Sequence, residues 1–225
     1  MRVPILAGPL RGAWWLLTSR GQTGRVLTGS YEQEHTRLFE RWVEPGSHVL
    51  DVGAHVGYYT LLSARLAGPE GRVCAFEPDP RNCAHLRRHL AINRLANAEV
   101  VQGAVSNEDG VARFRFGSGS GTGHLSDDGT IEVETLSLDA FCGLRGLQPD
   151  FIKIDTEGAE VRVLEGARRT LLAHRPAIVL STHGSELHRE CITILRGLGY
   201  RLAPITGGAV EATSELICTP DTSSS

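Results

Sequence analysis

The sequence predicts an α/β domain built on a mostly parallel β-sheet that lies between helices. Three observations lead to this prediction. Short apolar runs alternate with helical patterns, a glycine-rich turn follows the first of these runs, and acidic residues stand at the ends of three of them. Such alternation indicates βαβ units with right-handed crossovers. A chain of 225 residues suits one domain better than two.

Five apolar runs have the length and composition of buried strands. They are residues 49–52, 72–76, 99–102, 151–154 and 177–181. Between and after them, apolar residues recur at steps of three and four, which predicts helices. The predicted helices are residues 58–66, 82–93, 160–172 and 186–198.

Two regions break this alternation. Residues 111–116 and 131–135 are further strand candidates, and they flank the glycine-rich segment 117–123. This pattern predicts a β-hairpin insertion with a long tip. Residues 1–45 do not fit the repeat and are predicted to form an N-terminal cap segment, which leaves 46–220 as the main domain.

Composition excludes several classes of protein. The net charge of −3 argues against a general polyanion binder, so we expect no nucleic-acid partner. The apolar segment 5–18 is interrupted by Arg11 and glycines, is too short to span a membrane and lacks a cleavage site after it. Five cysteines without a CxxC pair suit a reducing compartment. We therefore expect a cytoplasmic protein with no membrane partner.

The turn after the first predicted strand is the strongest local signal. It contains Asp51, Gly53, His55, Gly57 and Tyr58, with an apolar strand before it and a helix after it. Such a turn can bring backbone N–H groups and a helix N-terminus to an anionic or zwitterionic ligand. Its glycine spacing departs from the G-x-G-x-x-G pattern of dinucleotide sites. A tight turn without a ligand is the structural alternative.

Carboxylates end the first two predicted strands. Asp51 can hold the ammonium group of an amino-acid-like ligand, whereas a dinucleotide pyrophosphate has no use for a carboxylate there. Glu77, followed by Pro78, can accept hydrogen bonds from both hydroxyls of a ribose. A surface acid that merely ends a strand is the alternative for Glu77. Together the two acids describe a ligand with a ribose and an amino-acid tail, and S-adenosylmethionine is such a ligand.

Two later strands end in residues suited to proton transfer. Asp155 and Glu157 follow the strand at 151–154, and His183 follows the strand at 177–181. The carboxyl ends of parallel strands meet where open α/β sheets bind ligands, so we expect Asp155 and His183 to be neighbours. Because imidazole titrates near neutrality, His183 suits a general base.

These motifs, in this order, resemble the FkbM family of methyltransferases. They are DVGAHVGYYT at 51–60, FEPDP at 76–80, LSLD at 136–139 and IKIDTEGAE at 152–160, with GPLRG at 8–12 and GSYE at 29–32. The resemblance covers most of residues 8–200. It implies a class I methyltransferase fold, which is Rossmann-like and has a seven-stranded sheet with one antiparallel strand. It also implies an enzyme that uses S-adenosylmethionine and releases S-adenosylhomocysteine.

The resemblance also implies roles for individual residues. The cofactor-binding set comprises Tyr31, Glu32, Asp51, Gly53, His55, Gly57, Tyr58, Glu77, Pro78, Gly103, Ala104 and Asp155. Within it, the turn after the first strand meets the methionine part, Glu77 the ribose, and the segment at Gly103 the adenine. Tyr31 and Glu32 belong to a cap over the cofactor. The family commonly has Asn where this chain has His55.

Methyl transfer is an in-line displacement, so the protein mainly has to position the acceptor opposite the sulfur. A hydroxyl acceptor must also lose its proton. We expect Asp155 or His183 to be the base, with Glu157 orienting its partner. The rival hypothesis is that these three side chains hold a divalent metal, which nothing in their spacing favours.

Other functions and acceptors stay open from the sequence alone. A nicotinamide-dependent oxidoreductase could use Gly53, Gly57 and Glu77, but the glycine pattern and Asp51 count against it. A cofactor-binding module that has lost catalysis is the non-enzymatic alternative. The resemblance favours a hydroxyl on a small molecule, such as a secondary metabolite or a sugar, while a carboxylate or peptide acceptor stays open. The oligomeric state is also open, a homodimer included.

Overall fold

The protein is described by a computed structural model that covers residues 1–17, 22–117 and 123–221. The strands are β1 (Arg2–Pro4), β2 (Trp14–Leu16), β3 (His48–Val52), β4 (Arg72–Glu77), β5 (Ala98–Gln102), β6 (Ala104–Val105), β7 (Gly110–Arg115), β8 (His124–Leu125), β9 (Ile131–Leu136), β10 (Phe151–Ile154), β11 (Ala177–Ser181), β12 (Tyr200–Pro204) and β13 (Glu215–Pro220). The α-helices are α1 (Thr23–Leu27), α2 (Gln33–Trp42), α3 (Tyr58–Ala67), α4 (Pro80–Asn93), α5 (Leu138–Arg145), α6 (Glu160–Glu165), α7 (Arg168–His174) and α8 (Ser185–Gly197).

Seven strands form the central sheet, in the order β12-β13-β11-β10-β3-β4-β5. The pairs from β11 to β5 are parallel, and β13 runs antiparallel to both of its neighbours. The order reverses between β3 and β10, since the chain proceeds to β4 and β5 on one side and from β10 to β11 on the other. Open α/β sheets bind ligands at the carboxyl ends of strands beside such a reversal.

Both faces of the sheet are buried, because alternate strand residues point to opposite sides. Leu50 belongs to a hydrophobic cluster that includes Leu164 of α6 and Leu195 of α8. Its neighbour Val49 belongs to a second cluster, with Leu61 of α3 and Phe39 of α2. The strands are therefore fixed by helices on both sides, as the apolar runs predicted.

The predicted helix at 160–172 is wrong as a single element, since α6 ends at Glu165 and α7 begins at Arg168. The reason is Asp139, which lies far away in the sequence. Its backbone N–H donates to the Gly166 carbonyl, and its carboxylate accepts from the N–H groups of Arg169 and Thr170 at the start of α7. These bonds replace the continuing helical ladder with a new capped helix.

The predicted hairpin is part of a larger second sheet. β7 and β9 pair antiparallel as expected, and β8 and β6 extend the pair into a four-stranded sheet of order β6-β9-β7-β8. Gly103 separates β6 from β5, so the chain passes directly from one sheet to the other. Of the predicted glycine-rich tip, residues 118–122 lie outside the described part of the chain.

The N-terminal segment packs into the core of the main sheet. Leu10 and Trp15 belong to the same hydrophobic cluster as Val49. The Trp15 ring stacks on His89 of α4, with the ring centroids 4.0 Å apart. The division into a cap at 1–45 and a main domain at 46–220 stays a prediction.

The composition predicted that the apolar segment 5–18 is too short to span a membrane and that the cysteines suit a reducing compartment. Among the described residues, none of the helices combines the length and the apolar character that a membrane span requires. All five cysteines are buried free thiols.

Candidate active site

A cavity of about 480 Å³ lies at the carboxyl end of the central sheet. The segments that follow β3, β4, β5, β10 and β11 all line it, and residues of the second sheet and the N-terminal segment complete it. Its volume is in the range of small-molecule sites, which is roughly 300–1,000 Å³. The location is the one that the strand order and the sequence both predicted.

Most of the predicted site residues line this cavity. They are Tyr31, Glu32, Gly53, His55, Tyr58, Glu77, Pro78, Gly103, Ala104, Asp155, Glu157 and His183. Two others lie behind its surface. Asp51 is wholly buried, and Gly57 packs so closely on Leu86 that a Cβ atom would lie 2.0 Å from Leu86 Cδ1.

Gly53 is required by the packing of two strands as well as by the turn. Its φ is +78°, and a Cβ atom would lie 1.8 Å from the carbonyl oxygen of Asp155. The N–H groups of Gly53 and Ala54 both donate to the carbonyl of Phe76. Those two N–H groups are therefore used inside the protein, and the glycine allows β3 and β10 to approach each other at the cavity.

A buried lysine links two of the predicted carboxylates. Lys153 Nζ lies 3.4 Å from Asp51 Oδ1 and 3.6 Å from Asp155 Oδ2, and it donates to the Gly53 carbonyl at 2.6 Å. Burial works against the charge of Lys153, but the carboxylates of Asp51, Asp155 and Glu32 outweigh it and raise its pKa. Lys153 lines the cavity and was not singled out by the sequence reasoning, although a lysine inside the apolar strand 151–154 was a visible signal.

Asp51 is held from two sides. Thr60 Oγ1 donates to its Oδ2 at 2.6 Å, while Oδ1 faces Lys153 and is buried without a hydrogen bond from the described residues. The predicted contact between Asp51 and a ligand ammonium group stays a prediction, because its carboxylate stands behind the cavity surface.

Glu77 lines the cavity with a carboxylate fixed by the backbone. Its Oε2 accepts from the N–H of His55 at 2.8 Å, and its Oε1 accepts from the N–H of Asp79 at 2.9 Å. Burial raises the pKa of Glu77 to about 6, although these hydrogen bonds lower it. The carboxylate therefore has a fixed orientation and can still accept hydrogen bonds from a ligand.

His55 has an uncharged ring at this site. Burial lowers its pKa to about 4, and the nearby charge of Lys153 lowers it further. Its Nε2 is buried without a hydrogen bond from the described residues. The backbone of His55 takes a left-handed conformation with φ of +51°, which aims its N–H at Glu77.

Asp155, Glu157 and His183 meet on the opposite side of the cavity. His183 Nε2 lies 3.7 Å from Asp155 Oδ1 and 3.5 Å from Glu157 Oε2, and the three side chains are each about a third exposed. One donor atom from each falls within 4.8 Å of the others, a spacing that a divalent cation could occupy. The predicted proximity of His183 to Asp155 is thus present.

The other ring nitrogen of His183 contacts a residue that sequence reasoning did not single out. Nδ1 lies 3.0 Å from Oε1 of Glu160, which is wholly buried at the start of α6. This hydrogen bond raises the pKa of His183, and the charges of Glu157 and Asp155 add to the effect. The orienting role predicted for Glu157 stays a prediction; in the structure Glu157 faces Nε2, whereas Glu160 contacts Nδ1.

Tyr31 and Glu32 cover the cavity from the N-terminal segment. The Tyr59 hydroxyl donates to Glu32, whose backbone is left-handed with φ of +39°. The Tyr31 ring packs against Tyr58 with centroids 4.7 Å apart, and burial raises the pKa of Tyr31. Both residues line the cavity, and their predicted role in a cap over the cofactor stays a prediction.

A profile of the methyltransferase FkbM domain matches residues 51–202. The chain belongs to the FkbM family of methyltransferases. It is 31% identical over 163 residues to the 2-O-methyltransferase NoeI of Sinorhizobium fredii, a match that covers 63% of this chain and 65% of NoeI. It is 30% identical over 194 residues to the 31-O-demethyl-FK506 methyltransferase FkbM of Streptomyces tacrolimicus, covering 70% of this chain and 74% of that protein. The chain thus spans just under two thirds of the length of NoeI.

The fold is also that of a solved FkbM methyltransferase from Methylobacillus flagellatus. The two structures superpose with a TM-score of 0.54 at 19% identity, over 87% of this chain and 52% of the other. The predicted family, the methyltransferase class and the class I fold with its seven-stranded sheet are confirmed.

Proposed function

We propose that this FkbM-family chain is an S-adenosylmethionine-dependent O-methyltransferase that acts on a hydroxyl group of a small molecule, such as a secondary metabolite or a sugar. The observation that carries the proposal is one cavity with a fixed carboxylate, Glu77, on one side and an acid–imidazole group at His183 on the other. The names of NoeI and FkbM, both O-methyltransferases, support a hydroxyl acceptor.

The free thiols support a reducing compartment, and we propose the cytoplasm.

The described residues fit the cofactor. Glu77 is oriented by two backbone N–H groups and keeps acceptor capacity for ribose hydroxyls. Asp51 Oδ1 lies behind the cavity surface beside Lys153 and accepts no hydrogen bond from the described residues. Glu32 and Asp155 put negative charge on the cavity surface, which favours a cationic ligand. When bound, S-adenosylmethionine supplies a methyl group on a positively charged sulfur.

The chain's own contribution to the reaction is to orient the acceptor and remove its proton. His183 Nε2 takes the proton of the acceptor hydroxyl, and the carboxylates of Asp155 and Glu157 stabilise the imidazolium that forms. A base of this kind is worth roughly 10²–10⁴-fold in rate. In the alternative, the same three residues hold a divalent cation that acidifies the hydroxyl by coordination. We propose the route without metal.

The first experiment is calorimetric titration of the purified chain with S-adenosylhomocysteine, beside Glu77→Ala and Asp51→Ala variants. Glu70→Ala changes an exposed acid outside the cavity and is the matched control. We expect micromolar affinity that the two site variants lose and the control keeps. A folded wild-type chain that binds NADH and not S-adenosylhomocysteine would make the oxidoreductase the better hypothesis.

The second experiment measures S-adenosylhomocysteine formation with a panel of glycosides and other polyhydroxy compounds. Each assay is run after dialysis against a chelator and again with added magnesium or manganese. Turnover that survives the chelator supports His183 as the base, whereas turnover that needs added metal supports the cation route. Tight cofactor binding without turnover on any acceptor would favour a module that has lost catalysis.

A further inference from the structure

Glu160 is a wholly buried acid to which the proposed reaction gives no role. It begins α6, and its Oε1 lies 3.0 Å from His183 Nδ1. The same oxygen accepts from the N–H of Gly158 at 2.9 Å and from the N–H and hydroxyl of Thr156 at 3.3 and 3.2 Å. A buried carboxylate is costly unless it is paired and hydrogen-bonded. Of its hydrogen-bond partners, His183 is the one that can carry a positive charge.

The bonds to Thr156 and Gly158 explain only how the loop before α6 is held. They come from residues four and two positions before Glu160 in the chain. His183 comes from the end of β11 and is 23 residues away in the chain. A carboxylate can only accept a hydrogen bond, so the Nδ1 contact requires a proton on Nδ1. In the neutral ring, this leaves Nε2 without a proton.

We propose that Glu160 is a positioning residue that keeps the proton of His183 on Nδ1, so that the lone pair of Nε2 faces the acceptor. The carboxylates that face the ring are Glu160 at Nδ1 and Asp155 and Glu157 at Nε2. The acceptor hydroxyl transfers its proton to Nε2, and Glu160 then stabilises the imidazolium through the bond it already makes. The transfer of the acceptor's proton to Nε2 rests on the proposed function, whereas the location of the ring proton on Nδ1 does not.

The first test reads the tautomer in the wild-type chain. Nitrogen-15 NMR of the full chain is recorded in alkaline buffer with a chelator and without cofactor, and the His183 signals are assigned from a His183→Gln spectrum. The expected result is a neutral ring with its proton on Nδ1 and a bare Nε2. A proton on Nε2, or an even mixture, would overturn the proposal. Because this measurement needs neither cofactor nor acceptor, its result is independent of whether the proposed function is correct.

The second test uses Glu160→Gln, with Glu165→Gln on the exposed side of α6 as the matched control. Removing the partner behind a metal-binding histidine typically costs about 10–100-fold in activity, and we take the same range for a histidine that acts as a base. We expect Glu160→Gln to lose the preference for Nδ1 and to lower kcat by such a factor, with the KM for the acceptor and the affinity for S-adenosylhomocysteine unchanged. The control should keep both the tautomer and kcat. An unchanged tautomer in folded Glu160→Gln would refute the role, and the wild-type spectrum decides if that variant does not fold.

Discussion

The two sides of the cavity are built differently. The side that we propose for the cofactor lies at the ends of β3 and β4, where Asp51 and Glu77 are buried and hydrogen-bonded by neighbouring groups. The side that we propose for the acceptor lies at the ends of β10 and β11, where Asp155, Glu157 and His183 are about a third exposed. His183 Nε2 lies 3.7 Å from Asp155 Oδ1 and 3.5 Å from Glu157 Oε2. The cofactor side is thus fixed before any ligand binds, while the acceptor side keeps polar groups available.

This difference separates the residues that we propose for cofactor binding from those that we propose for proton transfer. Groups that the protein's own hydrogen bonds hold in place are suited to holding one invariant ligand in one orientation. Groups that lack close partners can exchange protons and can contact acceptors of different shape. Glu160 is the exception on the acceptor side, because it is as deeply buried as Asp51 and fixes one end of His183. Four predictions test the comparison.

The largest expected effect is on the acceptor side. His183→Gln removes the proposed base, so kcat should fall by about 10²–10⁴-fold. Affinity for S-adenosylhomocysteine should not change, because the ring lies opposite the cofactor side. Initial rates and calorimetry measure the two quantities, and His174→Gln on α7 is the control that should match wild type. A parallel loss of cofactor affinity would show that the two sides are not separable.

On the cofactor side, Gly53→Ala should break the fixed geometry. The new Cβ would lie 1.8 Å from the Asp155 carbonyl in a backbone with φ of +78°. We expect the free energy of unfolding to fall by about 2–5 kcal/mol, from left-handed strain together with overpacking. Gly146→Ala has φ of +59° and open space, so it should cost only about 1–2 kcal/mol. Equal losses in urea denaturation of the two variants would contradict the close approach of β3 and β10.

His89 also supports the turn between β3 and α3, and we expect its protonation to lower the stability of the folded chain in acid. His89 Nδ1 donates to the Val56 carbonyl, and its Nε2 accepts from the N–H of Leu16. Burial lowers its pKa to about 4 from the ordinary 6.5. Between pH 6.5 and about 4, His89 binds a proton in the unfolded chain but not in the folded chain. The contribution of His89 to stability is therefore fully present above pH 6.5 and is lost as the pH falls toward 4.

The loss from this one group should be at most about 3 kcal/mol. Urea denaturation at a series of pH values measures it, and His89→Gln should make that part of the profile less steep. His55, whose pKa is also lowered to about 4, adds a loss of the same sign, whereas Glu77, whose pKa is raised to about 6, adds stability as pH falls. A profile in the variant as steep as in wild type would assign the acid sensitivity to other groups.

The smallest effect concerns Glu77 and the pH dependence of binding. Its pKa of about 6 means that the carboxylate gains a proton as pH falls through that value. A protonated Glu77 loses part of its capacity to accept ribose hydrogen bonds, so affinity for S-adenosylhomocysteine should drop by about tenfold one pH unit below the pKa. Calorimetry across this range should show the drop in wild type and a weaker, flat affinity in Glu77→Gln. A flat wild-type profile would remove Glu77 from the ligand contacts.

Local pattern was enough for five strands of the central sheet, from β3 to β11, and for the location of the cavity, but the two strands that complete the sheet, β12 and β13, were not predicted. The apolar runs at 151–154 and 177–181 coincide with β10 and β11, because burial on both faces leaves a signal within the run itself. The split of the helix at 160–172 left no such signal, since Asp139 causes it from another part of the chain. The two extra strands of the second sheet, β6 and β8, were missed because two residues are too few to show a period.

The sequence by itself determined five strands of the central sheet, the helical segments among them, the β7–β9 hairpin, the turn at Gly53, the acids at the strand ends and the family. Only the tertiary structure decided which of those acids face the cavity and what holds them. Lys153 is the register partner of Asp51 across two strands about 100 residues apart, and Glu160 reaches His183 from a different strand–helix unit. A side chain's type is local information, but its partner depends on which strands become neighbours and in which register, and that is fixed only when the sheet forms.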